Sequence, residues 1–237
     1  MLDVSRVSVV YDRSIVALEA VDFKVNKGDI VALLGPNGAG KSTLMKAVTG
    51  MLPFEQGEVM DGSIRFEDVV LDGAHPATIA RRGIAFVQDG RQCFRNLTIQ
   101  ENLKAAALLQ PKRSKERLDM VFSYFPVLKE MHERQAGFLS GGQLQMLVIA
   151  MALMGDPKLL LLDEPSLGLS PVMVQAVFDV VERMHKELGM TVVVAEQTVP
   201  RLLKMANDMY VLSRGSVVMH SAPQAVDEAA LQRVYLS

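Results

Sequence analysis

Residues 35–42 read Gly-Pro-Asn-Gly-Ala-Gly-Lys-Ser, a run of small residues closed by a cation and a hydroxyl. In this G-x-x-x-x-G-K-[ST] spacing, Gly35, Pro36, Asn37, Gly38, Ala39 and Gly40 let successive backbone N–H groups converge on phosphate oxygens. Lys41 then reaches the β- and γ-phosphates as a point charge, the Ser42 hydroxyl ligates Mg²⁺, and Thr43 completes the set. The chemistry implied is binding of a nucleoside triphosphate. A second string, Lys158-Leu-Leu-Leu-Leu-Asp163-Glu164-Pro165, is an apolar strand ending in two carboxylates. At the C-terminal end of a parallel strand, such acids overlook the crevice where open α/β sheets bind ligands. Asp163 is expected to partner Mg²⁺, directly or through water. Glu164 is expected to face the γ-phosphate and polarise the attacking water as a general base.

The elements that must hold these residues are legible around them. Asp29–Leu34 reads as a buried strand feeding the glycine-rich loop, and Ser42–Val48 as the helix leaving it. Ser5–Val10 and Ala17–Val25 alternate as strands across the polar turn Tyr11–Ser14, and Gly57–Leu71 returns to strand character. Together they predict a small antiparallel sheet. Pro76–Arg82 reads as a short helix and Gly83–Val87 as a core strand. From about 94 to 155 the chain is rich in helix formers, which predicts a helical lobe inserted in the α/β core. Its basic stretch, Lys112–Arg117, reads as a solvated helix start. Beyond it, strand Leu159–Leu162, helix Pro171–Leu188, strand Thr191–Ala195, helix Thr198–Ala206 and strand Met209–Leu212 alternate. That alternation predicts a mostly parallel sheet covered on both faces.

Composition narrows the class. The 237 residues suffice for one domain with a sizeable core. Charges nearly cancel, 25 Lys+Arg against 27 Asp+Glu, so nothing argues for a nucleic-acid partner. The single cysteine, Cys93, allows no intrachain disulfide and reads as a small apolar filler. His75, His132, His185 and His220 have no metal-ligand spacing. The 15 methionines read as flexible core filler in apolar helices. Residues 1–6 lack the features of a secretion signal. The longest apolar run, Met146–Met154, is short of the roughly 20 residues that span a bilayer and reads as a buried helix.

Residues 139–143, Leu-Ser-Gly-Gly-Gln, lie between the two strings already described. With them, in that order, the chain resembles the ATP-binding cassette (ABC) ATPases over almost its full length. The resemblance implies a P-loop fold with an antiparallel β subdomain and an inserted helical subdomain. It also implies that Ser140, Gly141, Gly142 and Gln143 contact ATP held by a second cassette, and a helix start there is a sound anion site. Tyr11 falls where these proteins stack an aromatic on adenine, and Val16 where a small apolar side chain packs beside the nucleoside. Ser166–Pro171 matches the loop that touches the partner subunit.

Some positions depart from the general pattern. Gln197, counted from Met205–Asp208, occupies the place of the usual switch histidine; an amide can donate a hydrogen bond but cannot take up a proton. Counting back from Leu97-Thr98 puts Asp89 at the lid-loop glutamine, with Gln88 just before it, and either side chain can approach the metal. Met151 stands where an arginine is usual. Glu196-Gln197, Asp89-Gly90-Arg91 and Leu167–Pro171 are similar to the ATPase subunits of branched-chain amino acid importers, a branch shared with urea and short-chain amide importers. The resemblance thus implies a subunit using ATP and Mg²⁺, peripheral on the cytoplasmic face of the cell membrane. Its partners would be permease subunits, a second ATPase subunit (a copy or a relative) and, indirectly, a solute-binding protein. The inserted helical lobe and residues 89–97 are the expected permease dock, with Phe94 either an anchor there or a core residue. A non-transport ABC ATPase fits less well, because the chain has one phosphate loop and only a short helical insert.

Overall fold

At residues 12 and 13 the backbone turns through two left-handed positions, Asp12 (φ 49°) and Arg13 (φ 58°), and Ser14 N–H donates to the Tyr11 carbonyl at 3.1 Å. This mirror-image turn matches the strand twist and closes a hairpin of β1 (Leu2–Tyr11) and β2 (Ile15–Val25). β1 buries Leu2 and Val4, then Val7 and Val9. The change of parity falls on a register shift between Val4 and Val7, where Arg6 sits at φ 50°. The extra residue is a β-bulge, and it keeps both halves of the strand facing the core. The computed structural model describes residues 1–109, 113–197 and 200–225. Its contacts divide the chain into two units, Met1–Ile79 with Thr191–Ser237, and Ala80–Met190.

In the first unit, β4 (Gly57–Phe66) pairs with the other edge of β1 and carries β5 (Val69–Val70), giving the antiparallel order β2-β1-β4-β5. A separate parallel group is built on β3 (Ile30–Leu34), whose five residues are all buried. β3 lies between β8 (Thr191–Glu196) and β9 (Asp208–Ser213), parallel to both. Continuous apolar runs such as Val192–Ala195 are what strands buried on both faces require. β10 (Ser216–Ser221) adds antiparallel to β9, an edge strand that the sequence reading did not contain. Helices α1 (Lys41–Thr49) and α8 (Pro200–Met205) follow β3 and β8. Thr198, Val199 and Lys112 of the expected helices lie outside the described residues. α2 (Pro76–Arg81) leads out of this unit.

In the second unit, β6 (Ile84–Val87) runs parallel to β7 (Leu159–Asp163), with Ile84 opposite Leu159 and Val87 opposite Leu162. Among the described residues, five α-helices accompany them: α3 (Ile99–Ala106), α4 (Ser114–Tyr124), α5 (Pro126–Glu130), α6 (Gly141–Met154) and α7 (Pro171–Leu188). α6 buries residues on every side, including Leu144, Leu147, Val148 and Leu153, as a helix apolar all round must. Before α3 the chain from 91 to 98 is irregular and is anchored by one buried side chain. Asn102 accepts from Phe94 N–H at 2.8 Å and donates to the carbonyls of Phe94 (3.0 Å), Leu97 (3.3 Å) and Thr98 (2.9 Å). Among the described residues no helix is long and apolar enough to cross a membrane. Met60, on β4, is 61% exposed and so is not core filler.

Candidate functional site

The phosphate loop of the first unit is shaped by its surroundings. Gly38 (φ 76°) and Gly40 (φ 107°) hold left-handed conformations that favour glycine. At Gly35 the constraint is space, because a Cβ would meet the Leu212 carbonyl oxygen of β9 at 2.3 Å. The Ala39 carbonyl accepts from Gly215 N–H at 3.0 Å, tying the loop to the β9–β10 turn. Lys41 is only 3% exposed, and its Nζ donates to the carbonyls of Gly35 (2.9 Å) and Pro36 (3.1 Å). Its charge is therefore held inside the loop at the start of α1, where the first-turn N–H groups have no intrahelical acceptor. Tyr11 Oη lies 3.5 Å from Thr43 Oγ1, and the Tyr11 ring fills the space that a Cβ on Gly57 would take. Gln197 Nε2 donates to Asn37 Oδ1 at 2.7 Å across 160 residues of sequence. Tyr11, Asn37, Lys41, Thr43 and Gln197 are thus linked to one loop, whereas Val16 stands on the surface, 64% exposed.

The second unit carries the carboxylates. β7 ends in buried Asp163, and the next residue, Glu164, adopts φ 44°. A left-handed conformation costs a non-glycine residue on the order of 1–2 kcal/mol, and such strain concentrates at functional positions. The chain then folds back, with Leu167 N–H donating to the Glu164 carbonyl at 3.0 Å and Leu169 N–H to the Ser166 carbonyl at 3.1 Å.

The signature opens α6 with a capping box. Ser140 Oγ accepts from Gln143 N–H at 3.3 Å, and Gln143 Oε1 accepts from Ser140 N–H at 3.0 Å. Each side chain thereby accepts from the other residue's backbone N–H, and Gly141 and Gly142 supply further first-turn N–H groups. Gly142 admits close packing of α7, since a Cβ would fall 2.3 Å from the Met173 methyl carbon. Gln88 is half-buried; Asp89 is exposed and accepts from Gly90 N–H at 2.6 Å. Sequence reasoning used Arg91 only as a mark of one branch and missed its contacts. Arg91 Nε donates to Gln145 Oε1 of α6 at 3.2 Å, and its Nη2 donates to the Leu167 carbonyl. No spacing rule signals partners 54 and 76 residues away.

Cys93 is half-buried, and burial pushes its thiol up, opposite to what activates a nucleophile. Phe94 is 57% exposed, which removes the core alternative for it. The Ser42 hydroxyl of the first unit and the Asp163 carboxylate of the second are each hard oxygens of the kind that suits Mg²⁺. Buried Lys41 and the glycine-rich loop suit a polyphosphate.

The family model described as "ABC transporter" matches residues 18–167. The chain is 44% identical over 227 residues to the high-affinity branched-chain amino acid transport ATP-binding protein BraG of Pseudomonas aeruginosa, covering 95% of this chain and 94% of that protein. It is 37% identical over 202 residues to a probable branched-chain amino acid transport ATP-binding protein, LivF, of Archaeoglobus fulgidus, covering 84% and 83%. Among solved structures it is similar to the ADP conformation of MJ1267, an ATP-binding cassette of an ABC transporter. That match has a TM-score of 0.80 and 28% identity, and covers 100% of this chain and 95% of the other.

Proposed function

The chain belongs to the ABC transporter family of ATPases, and on that premise we propose that it powers an importer of branched-chain amino acids as one of its two ATP-hydrolysing subunits. The observation that carries the substrate class is the 44% identity to BraG across 95% of the chain. The buried Lys41 and the strained Glu164 support hydrolysis.

Gly35–Thr43 hold the triphosphate through backbone N–H groups and the Lys41 ammonium, and Tyr11 and Val16 flank the nucleoside. Ser42 and Asp163, with Gln88 or Asp89, would hold Mg²⁺, which would supply positive charge to offset that of the phosphates. Glu164 accepts a proton from water as the water oxygen bonds to the γ-phosphorus and the bond to the ADP oxygen breaks. Gln197 donates a hydrogen bond to the γ-phosphate and takes no proton. Ser140, Gly141, Gly142 and Gln143 serve the nucleotide of the second ATPase subunit, so closure favours ATP over ADP. Moving a pair from mostly open to mostly closed needs about 5 kcal/mol of such preference. Exposed Phe94 and its segment dock the permease on the cytoplasmic face, and a solute-binding protein delivers substrate on the other side.

The test is uptake of labelled leucine, urea and a short amide by cells whose only copy is wild type or Glu164→Gln, with ATP binding measured alongside. Loss of leucine uptake alone, with ATP binding retained, is the expected result. Loss of urea or amide uptake alone replaces the substrate class, and undiminished uptake of all three overturns the transport reading.

A further inference from the structure

Arg91 touches two of the candidate catalytic strings of the second unit and belongs to neither. It leaves a tight turn in which Gly90 (φ 90°) and Arg91 itself (φ 50°) are both left-handed. A non-glycine residue keeps such a conformation only where its surroundings hold it. What holds it is a pair of acceptors in different elements: Gln145, 4% exposed, in α6 and the Leu167 carbonyl in the loop after Glu164. The guanidinium also lies against two glycines. A Cβ on Gly141 would come within 2.9 Å of Nη1, and one on Gly168 within 3.6 Å of Nη2. A side chain at Gly141 would displace the Arg91 guanidinium, so this glycine leaves room for Arg91 as well as supplying its N–H group. The planar fork of arginine places its donors on different nitrogens, so Nε and Nη2 each meet an acceptor in a different element, whereas all of a lysine's donors sit on one nitrogen.

We propose that Arg91 is a positioning residue that clasps the signature turn to the loop following Glu164, so that Gly141, Gly142 and Glu164 keep one register and move together. The proposal rests on the ATPase reading and deepens it. In that reading the signature serves the opposite subunit's nucleotide and Glu164 serves its own. One clasp per subunit then gives the two nucleotide sites a shared mechanical element.

The experiment compares wild type, Arg91→Ala, Arg91→Lys and Gln145→Met in the assembled transporter, reading ATPase kinetics and amide hydrogen exchange. Gln145→Met keeps the side-chain volume and removes one acceptor, so it reports on the clasp even if Arg91→Ala folds poorly. Loss of a charged hydrogen bond predicts a kcat lower by about tenfold or more in Arg91→Ala, with KM for ATP within about twofold. Arg91→Lys does not restore it, and Gln145→Met shows a smaller loss of the same kind. Exchange at 140–143 and 166–169 rises in both segments at once. Turnover within twofold of wild type in Arg91→Ala, full rescue by lysine, or loosening of only one segment overturns the clasp. A wild-type transporter without ATPase activity, in which both segments still loosen together in Arg91→Ala, overturns instead the functional reading beneath it.

Discussion

Gly35 of the phosphate loop and the two glycines of the signature turn are enclosed by different material. In the phosphate loop Gly35 faces backbone, the Leu212 carbonyl oxygen, at 2.3 Å from where a Cβ would stand. In the signature turn the corresponding neighbours are side chains, Met173 beside Gly142 and Arg91 beside Gly141. β9 cannot retreat without disturbing its parallel pairing with β3. A methionine tip can move by changing rotamer. The wall beside Gly35 is thus preformed, while the wall beside Gly142 is a side chain that can shift. That suits a surface which, in the proposed cycle, engages and releases a partner's nucleotide.

The largest effect is expected where backbone forms the wall. Gly35→Ala should weaken ATP binding by more than about 100-fold, some 3 kcal/mol, because overpacking here has no side chain to displace. Calorimetric titration checks this, and affinity within threefold of wild type would erase the distinction between the regions. Gly142→Ala should be milder, lowering stability in urea unfolding by about 1–3 kcal/mol. Met173→Ala in the same chain should recover part of that loss; no recovery would mean that α7 itself, not the methionine tip, confines the glycine.

The smallest effect concerns another side-chain tie of the second unit. Tyr124 donates to Glu187 Oε2 at 2.8 Å, with Arg183 over the ring at 4.7 Å. Burial, and then this hydrogen bond, push the Tyr124 phenol up from 10.0 to about 12. A raised pKa means that the contribution is complete below pH 10 and is lost as pH rises towards 12. Tyr124→Phe should flatten that part of the stability profile, measured by melting temperature from neutral to alkaline pH. An unchanged alkaline slope would show that the tie carries no linkage.

Much of the architecture was legible because it follows from short-range rules. The five buried residues of β3 and the helix over Pro171–Leu188 stand where the pattern put them. The antiparallel sheet was expected too, but β1 begins at Leu2 rather than Ser5, and the bulge at Arg6 hides its alternation by changing parity midway. β10 escaped because its burial is mixed and only its pairing with β9 makes it a strand. In the candidate site, the glycine-rich loop, the acids ending β7 and the helix start at Ser140–Gln143 are contiguous in sequence and so could be read. The contact of Gln197 with Asn37 and the reach of Arg91 to Gln145 and Leu167 could not.

What the sequence by itself determined is the fold class and the family, and it named the candidate residues for the chemistry. Phosphate cradles, strand periodicity and helix caps are built by neighbours within a few positions, so residue type and spacing encode them. Only the tertiary structure decided what encloses each glycine, that Phe94 lies on the surface, and that Arg91 joins two strings. Those outcomes depend on which distant segments the strands and helices bring together, and packing between segments leaves no periodic trace along the chain.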